Sequence, residues 1–242
     1  MTVTWEELGW ERLAAGVGRC RLPGWDCTTG LVIGAGTALM VDAGSSLAEG
    51  ARLRAEAERL TGHGVIHLAF THPHFDHVLG ASSVAAGEVF GAVGIESAFT
   101  PRGREELRAD AVAGGLDAKV AEEAAAAPLP VDHLVSGEWT LDLGGGRQVL
   151  LANVGPGHTA HDLAVLVPGE REVVFCGDLV EESGEPQAGP DAVPSHWPDA
   201  LDRLLALGGE DALYVPGHGA VVDAAFVRAQ RDALAARFGV SR

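Results

Sequence analysis

Short apolar runs alternate with stretches of helical period along the whole chain. Residues 29–33 and 38–41 read as paired strands, and they run into Asp42-Ala43-Gly44-Ser45-Ser46, a turn suited to capping a helix over 47–60. The apolar run 66–70 reads as a buried strand. A helix is expected over 78–86, a strand over 88–93, and one or two alanine-rich helices over 104–127, broken near Gly114-Gly115. The pattern then returns to strands at 131–135, 139–143, 148–154, 163–167 and 172–176. Helices over 198–207 and 224–238 flank a short strand at 213–215. Two halves that each run from strands to helices suit an α/β fold of two sheets packed face to face with helices outside. No polar Pro/Gly/Ser-rich linker divides them, so one domain over 1–242 is expected.

Composition narrows the class. Hydrophobic residues make up 47% of the chain and charged residues 21%, which is neither a disordered nor a membrane-spanning balance. The longest apolar stretch, 31–41, is interrupted by Gly34, Gly36 and Thr37 and is far shorter than the roughly 20 residues a bilayer requires. The first residues, MTVTWEELGWERL, are acidic and lack a basic segment followed by an apolar one, so a cytoplasmic location is expected. Cys20, Cys27 and Cys176 are then expected as free thiols, with a Cys20/Cys27 disulfide as the alternative. The net charge of −17 argues against nucleic acid and anionic membrane as partners, because both require a basic face. A small molecule is the expected partner, and no feature of the chain selects an oligomeric state.

The chemistry concentrates at Thr71-His72-Pro73-His74-Phe75-Asp76-His77, directly after the 66–70 strand. Imidazole and carboxylate suit zinc and similar first-row metals. Residues two apart in an extended segment point the same way, so His72 and His74 can hold one ion while Asp76 and His77, at the start of a helix, face a second position. Three further candidates share a turn just past a strand: His158 in Gly155-Pro156-Gly157-His158-Thr159, Asp178 in Cys176-Gly177-Asp178, and His218 in Pro216-Gly217-His218-Gly219. Together these donors suffice for two metal ions.

His-x-His-x-Asp-His after a strand, followed in order by Gly-His-Thr, Gly-Asp and Pro-Gly-His-Gly, resembles the metallo-β-lactamase superfamily of hydrolases. The resemblance spans the Asp42 turn to His218 and implies a four-layer αββα sandwich with the site along one edge of the two sheets. It implies that His72, His74 and His158 hold a first metal, that Asp76, His77 and His218 hold a second, and that Asp178 bridges them. Asp42 matches the early aspartate of the family, expected to orient ligands from behind; its other reading is a cap for the helix from 47 onward. A water shared by two such cations is acidified towards neutrality, which makes hydrolysis the natural reaction, with Asp76 orienting the nucleophile and Asp178 holding the pair of ions. Zinc is the first choice of metal, and iron or manganese also suit these donors.

Departures from subfamily patterns narrow the reading. Flavo-diiron oxidoreductases place glutamate where His74 stands, and zinc β-lactamases usually carry cysteine or serine where Asp178 stands or lack the second residue of the Asp-His pair. Glyoxalase II enzymes share these ligands but add a helical domain, whereas 24 residues follow His218 here. Lactonases place a tyrosine near the site, and the single tyrosine, Tyr214, lies in the strand before His218. Sulfur dioxygenases need fewer ligands, and processing ribonucleases want a basic arm that this acidic chain lacks. The expectation is a two-metal hydrolase of a small ester, thioester, lactone or amide; the alternatives are an iron-dependent sulfur dioxygenase or redox enzyme, and a β-lactam hydrolase. Pocket walls are expected from Phe75, the 104–127 insertion and the 181–197 loop. His161, His196 and Trp197 are further substrate-contact candidates; the alternatives are a hydrogen-bonded turn histidine for His161 and a helix-start aromatic staple for His196-Trp197. Trp5, Trp10, Trp25 and Trp139 are expected to pack, and His63, His67 and His133 to be structural.

Overall fold

The computed structural model describes residues 3–64, 66–84, 87–128 and 131–240. Twelve strands are described: β1 Glu11–Ala14, β2 Val17–Arg21, β3 Thr28–Ile33, β4 Ala38–Val41, β5 Ile66–Ala69, β6 Val89–Ala92, β7 His133–Val135, β8 Glu138–Asp142, β9 Gln148–Asn153, β10 Leu163–Val167, β11 Val173–Glu181 and β12 Leu213–His218. The helices are α1 Leu47–Thr61, the single turns α2 Phe75–Val78 and α3 Ala81–Val84, then α4 Pro101–Ala113, α5 Ala118–Ala126, α6 Trp197–Gly208 and α7 Ala224–Phe238. β1 to β7 form one sheet in chain order, and the other sheet runs β12-β11-β10-β9-β8. Both are mixed. β1 to β4 pair antiparallel and β4 to β7 parallel, while β8 to β11 pair antiparallel and β11 lies parallel to β12.

Side-chain alternation assigns each strand face to a layer. In β4, Ala38 and Met40 join the core beneath α1, α3, α4 and α5, while Leu39 and Val41 point into the core between the sheets. In β10, Leu163, Val165 and Val167 meet them there, and Ala164 faces the opposite way, into the core under α6 and α7. Three apolar cores between four layers make an αββα sandwich, the architecture the sequence implied.

Several elements differ from expectation. The β1-β2 hairpin has no clear alternation because Gly18 and Arg19 occupy buried positions; Arg19 is accommodated by Glu11 at 2.7 Å and by the Gly219 carbonyl at 2.8 Å. In place of the expected 78–86 helix stand the two turns α2 and α3, interrupted at Gly80, whose amide donates to the Gly44 carbonyl at 2.9 Å; Ala85 and Ala86 lie outside the described residues. α4 begins at Pro101 with Thr100 as its cap, and the break after it falls at Gly114-Gly115 as expected. β11 runs on to Glu181 and β12 to His218, so Asp178 and His218 stand on strands rather than in turns past them. Asp42 does not cap α1. Ser46 accepts from the Glu49 amide, and Glu49 reaches back to Ser45. Among the described residues no helix is long and apolar enough to cross a membrane.

Candidate metal centre

The parallel arrangement of β4 and β5 brings Asp42 and the Thr71–His77 turn side by side beyond their carboxyl ends. On the facing sheet, His158 comes from the β9-β10 loop, Asp178 from β11 and His218 from the end of β12. The Leu163 amide donates to the Thr71 carbonyl at 2.7 Å and ties the two sheets together at this edge. Two glycines make room. Gly177, at φ +53°, packs where a Cβ would strike Thr71, and a Cβ on Gly217 would fall on Asp178 Oδ1.

All seven expected donors converge. One group comprises His72, His74, His158 and Asp178, another His77, Asp178 and His218, and a third Cys27, Asp76 and His77; Asp178 belongs to the first two. Asp178 Oδ2 lies 3.6 Å from His72 Nε2, 3.5 Å from His158 Nε2 and 3.3 Å from His218 Nε2, and its Oδ1 is 3.2 Å from His77 Nε2. Asp76 Oδ2 is 3.6 Å from His77 Nε2 and 3.4 Å from His218 Nε2. Ligand atoms about 2.0–2.1 Å from a tetrahedral zinc stand roughly 3.3 Å apart, so these spacings suit shared cations.

The outer nitrogens determine which inner nitrogens are free. His72 Nδ1 donates to Thr71 Oγ1 at 3.0 Å, His77 Nδ1 to Asp42 Oδ2 at 2.8 Å, and His158 Nδ1 to the Gln187 carbonyl at 3.0 Å. His218 Nδ1 donates to the Trp25 carbonyl at 2.7 Å and His74 Nε2 to Asp191 Oδ2 at 3.0 Å. In the neutral rings every inner nitrogen then carries a lone pair. His74 Nδ1 and His158 Nε2 face each other at 3.0 Å as two acceptors, and buried His72 Nε2 and Asp178 Oδ1 make no hydrogen bond. A cation among the three nitrogens would satisfy them, and one on the His77 side would satisfy Asp178 Oδ1, so the residues fit a metal.

Burial and neighbouring charge push the donors in different directions. Burial holds the imidazoles of His72 well below their ordinary range and of His158 down to about 4, aided at His72 by neighbouring His77. At His218 burial is outweighed by Asp178, and the ring rises to about 9. Burial likewise opposes protonation of His77, yet Cys27, Asp178, Asp76 and Asp42 carry it well above its usual value. Burial would raise Asp178, but His77, His72 and His218 hold it well below the carboxylate range.

Asp42 stands behind the candidate donors. It accepts from the Thr71 amide at 2.8 Å and from Thr71 Oγ1 at 2.7 Å as well as from His77. These bonds hold it in the left-handed region at φ 62°, unusual for a residue with a side chain. Other supports gave no sequence signal: Asp191 and Gln187 lie in an irregular loop, Trp25 acts through its carbonyl, and Cys27 sits beneath His77. All three cysteines are free and buried.

Beside the donors opens a cavity of about 890 Å3. Phe75, His161, Leu107 and Asp110 of α4, and Gly189, Pro190 and Asp191 line it, so the 104–127 insertion contributes through its first helix and the 181–197 loop through its middle. His161 Nδ1 donates to the Val93 carbonyl at 3.0 Å. Two expected contacts are corrected. Trp197 is fully buried, donating from Nε1 to the Leu179 carbonyl at 3.0 Å, and His196 is the exposed N-cap residue of α6; neither lines the cavity. Helical phase turns Trp197 into the core under the five-stranded sheet. Trp10 is buried with Trp5 edge-on against it, and Trp139 packs on Phe90 and His133 while remaining 40% exposed. His67 and His133 both pair with Glu88.

The metallo-beta-lactamase superfamily profile matches residues 22–218. The chain belongs to the metallo-beta-lactamase superfamily. No curated protein matches it. Among solved structures it is similar to a metallo-beta-lactamase from Hirschia baltica, with 16% identity, a TM-score of 0.67, and 93% of this chain and 96% of that one covered. One from Pontibacter korlensis gives 18%, 0.65, 92% and 98%, and one from Pseudomonas aeruginosa in its mono-zinc form gives 18%, 0.66, 96% and 96%. At these identities the likeness is one of fold.

Proposed function

We propose that this protein is a dinuclear metal-dependent hydrolase of a small ester, thioester, lactone or amide. The observation that carries the reading is a pair of donor sets sharing Asp178, with inner nitrogens facing one another as acceptors at 3.0 Å. His72, His74 and His158 would hold the first ion, Asp76, His77 and His218 the second, with Asp178 between them. Two bound divalent ions, zinc by preference, would acidify a water and polarise the scissile carbonyl. Asp76, 3.4 Å from His218 Nε2, is placed to orient that water, and Asp42 and Asp191 keep His77 and His74 turned inward. Phe75 and His161 line the substrate cavity and are the side chains expected to touch the acyl or leaving group.

The cavity walls favour neutral or cationic substrates over carboxylate-bearing β-lactams. Glu106, Asp110 and Asp191 line it, and the lining arginine, Arg102, is engaged by Glu106 at 2.8 Å. Metal analysis of the purified protein, with turnover of matched esters, thioesters, lactones and β-lactams, tests the reading. Two zinc ions and hydrolysis of an ester, thioester, lactone or amide are expected. Two metals with hydrolysis of none of these sinks it, and iron with oxygen consumption on a persulfide replaces it with the dioxygenase reading.

A further inference from the structure

Residues 25–27, in the turn between β2 and β3, touch every protein ligand assigned above to the second ion alone. The Trp25 carbonyl accepts from His218 Nδ1 at 2.7 Å. Cys27 Sγ donates to the Asp76 carbonyl at 3.2 Å. The same sulfur is 3.7 Å from both Nδ1 and Nε2 of His77, which puts it over the ring face rather than in line with the nitrogen lone pair. Cys27 therefore packs against the ring of His77 and helps to hold it in place. A backbone bridge between Cys27 and His218 completes the contact.

The first position is supported from elsewhere. His158 and His74 donate to Gln187 and Asp191 of the 187–191 loop, and His72 to Thr71. The 25–27 turn is also tied to the cavity wall. Trp25 Nε1 donates to the carbonyl of Gly114, at the end of α4, at 3.2 Å, and its ring meets Phe75 edge-on with centroids 5.2 Å apart. Leu107 and Asp110 of that helix line the cavity.

We propose that Trp25 and Cys27 are positioning residues that set the affinity of the second metal position selectively and couple it to the α4 wall of the substrate cavity. The inference rests on the two-metal reading. A displacement of α4 by substrate would reach His218 through the Gly114–Trp25 hydrogen bond.

The test measures stepwise zinc affinity by chelator competition in the full-length protein. NMR of the cadmium-substituted protein identifies the positions, since three nitrogen donors and two give different resonances. Cys27→Ala and Trp25→Phe should each weaken the second position by about 10–100-fold and leave the first unchanged. Cys27→Ser, which restores a donor to the Asp76 carbonyl, should recover part of the loss. Asp191→Asn should show the opposite selectivity, weakening the first position. Equal loss at both positions in Cys27→Ala and Trp25→Phe, or no loss in either variant, overturns the proposal while the two-metal reading stands. A wild-type protein that binds only one ion overturns that reading, and this inference with it.

Discussion

At the residue scale the site depends on acceptors behind the histidines as much as on the histidines themselves. Asp42 is the most heavily used, holding His77 and both polar groups of Thr71. Asp42→Asn keeps a residue that tolerates the left-handed backbone but removes the charge. Zinc competition should show metal affinity reduced by about 10–100-fold. Asp162 behaves differently. It is buried, accepts from the amide and Oγ1 of Thr159, and so shapes the loop that carries His158. Burial raises its carboxyl from an ordinary value of 3.8 up to about 7. Between those values the folded state holds a proton that the unfolded chain has released, so its contribution falls as pH rises through the window. The fall is at most about 1.4 kcal/mol per pH unit. His158, neutral in the metal-free fold, acts in the opposite direction over an overlapping range. The measurement is therefore the difference in urea unfolding between wild type and Asp162→Asn from pH 4 to 8, which should widen in favour of the variant as pH rises. A constant difference across that range would refute the assignment. Asp42 is the support that the sequence already pointed to, through the early aspartate of the motif series.

At the element scale, strands and long helices were legible because alternation and helical period record which side is buried. Boundaries near the site were not. Asp178 and His218 read as turn residues because glycine flanks both, yet those glycines serve close packing inside β11 and β12. The Trp197 assignment failed for a related reason: a tryptophan at a helix start beside an active-site loop looks like a contact, and only the phase of α6 against the sheet turns it inward. Trp197→Ala should cost about 3–5 kcal/mol in chemical unfolding and leave KM for a turned-over ester unchanged. A raised KM at unaltered stability would return Trp197 to the cavity. Ser46→Ala should cost about 1 kcal/mol through the lost α1 cap, whereas Asp42→Asn should leave the helix cap intact.

At the scale of the whole molecule, the metal site sits at an edge of a sandwich that does not rely on it. Three apolar cores, one between the sheets and one under each helical layer, hold the fold without any metal-linked residue. Chelation should therefore abolish hydrolysis while circular dichroism still reports native secondary structure and unfolding stays cooperative at a lower midpoint. Loss of secondary structure on chelation would show that the metal belongs to the folding core. The sequence by itself determined an α/β pattern through alternation and helical period, and its ordered motifs, through their resemblance to the superfamily, pointed to the family and to seven candidate donors. Tertiary structure decided which nitrogen of each histidine faces inward, that Asp191, Gln187, Trp25 and Cys27 support them, and that Trp197 and His196 stand away from the cavity. Those facts depend on contacts between residues as far apart as Trp25 and His218 or His74 and Asp191, and only packing of the two sheets brings such pairs together.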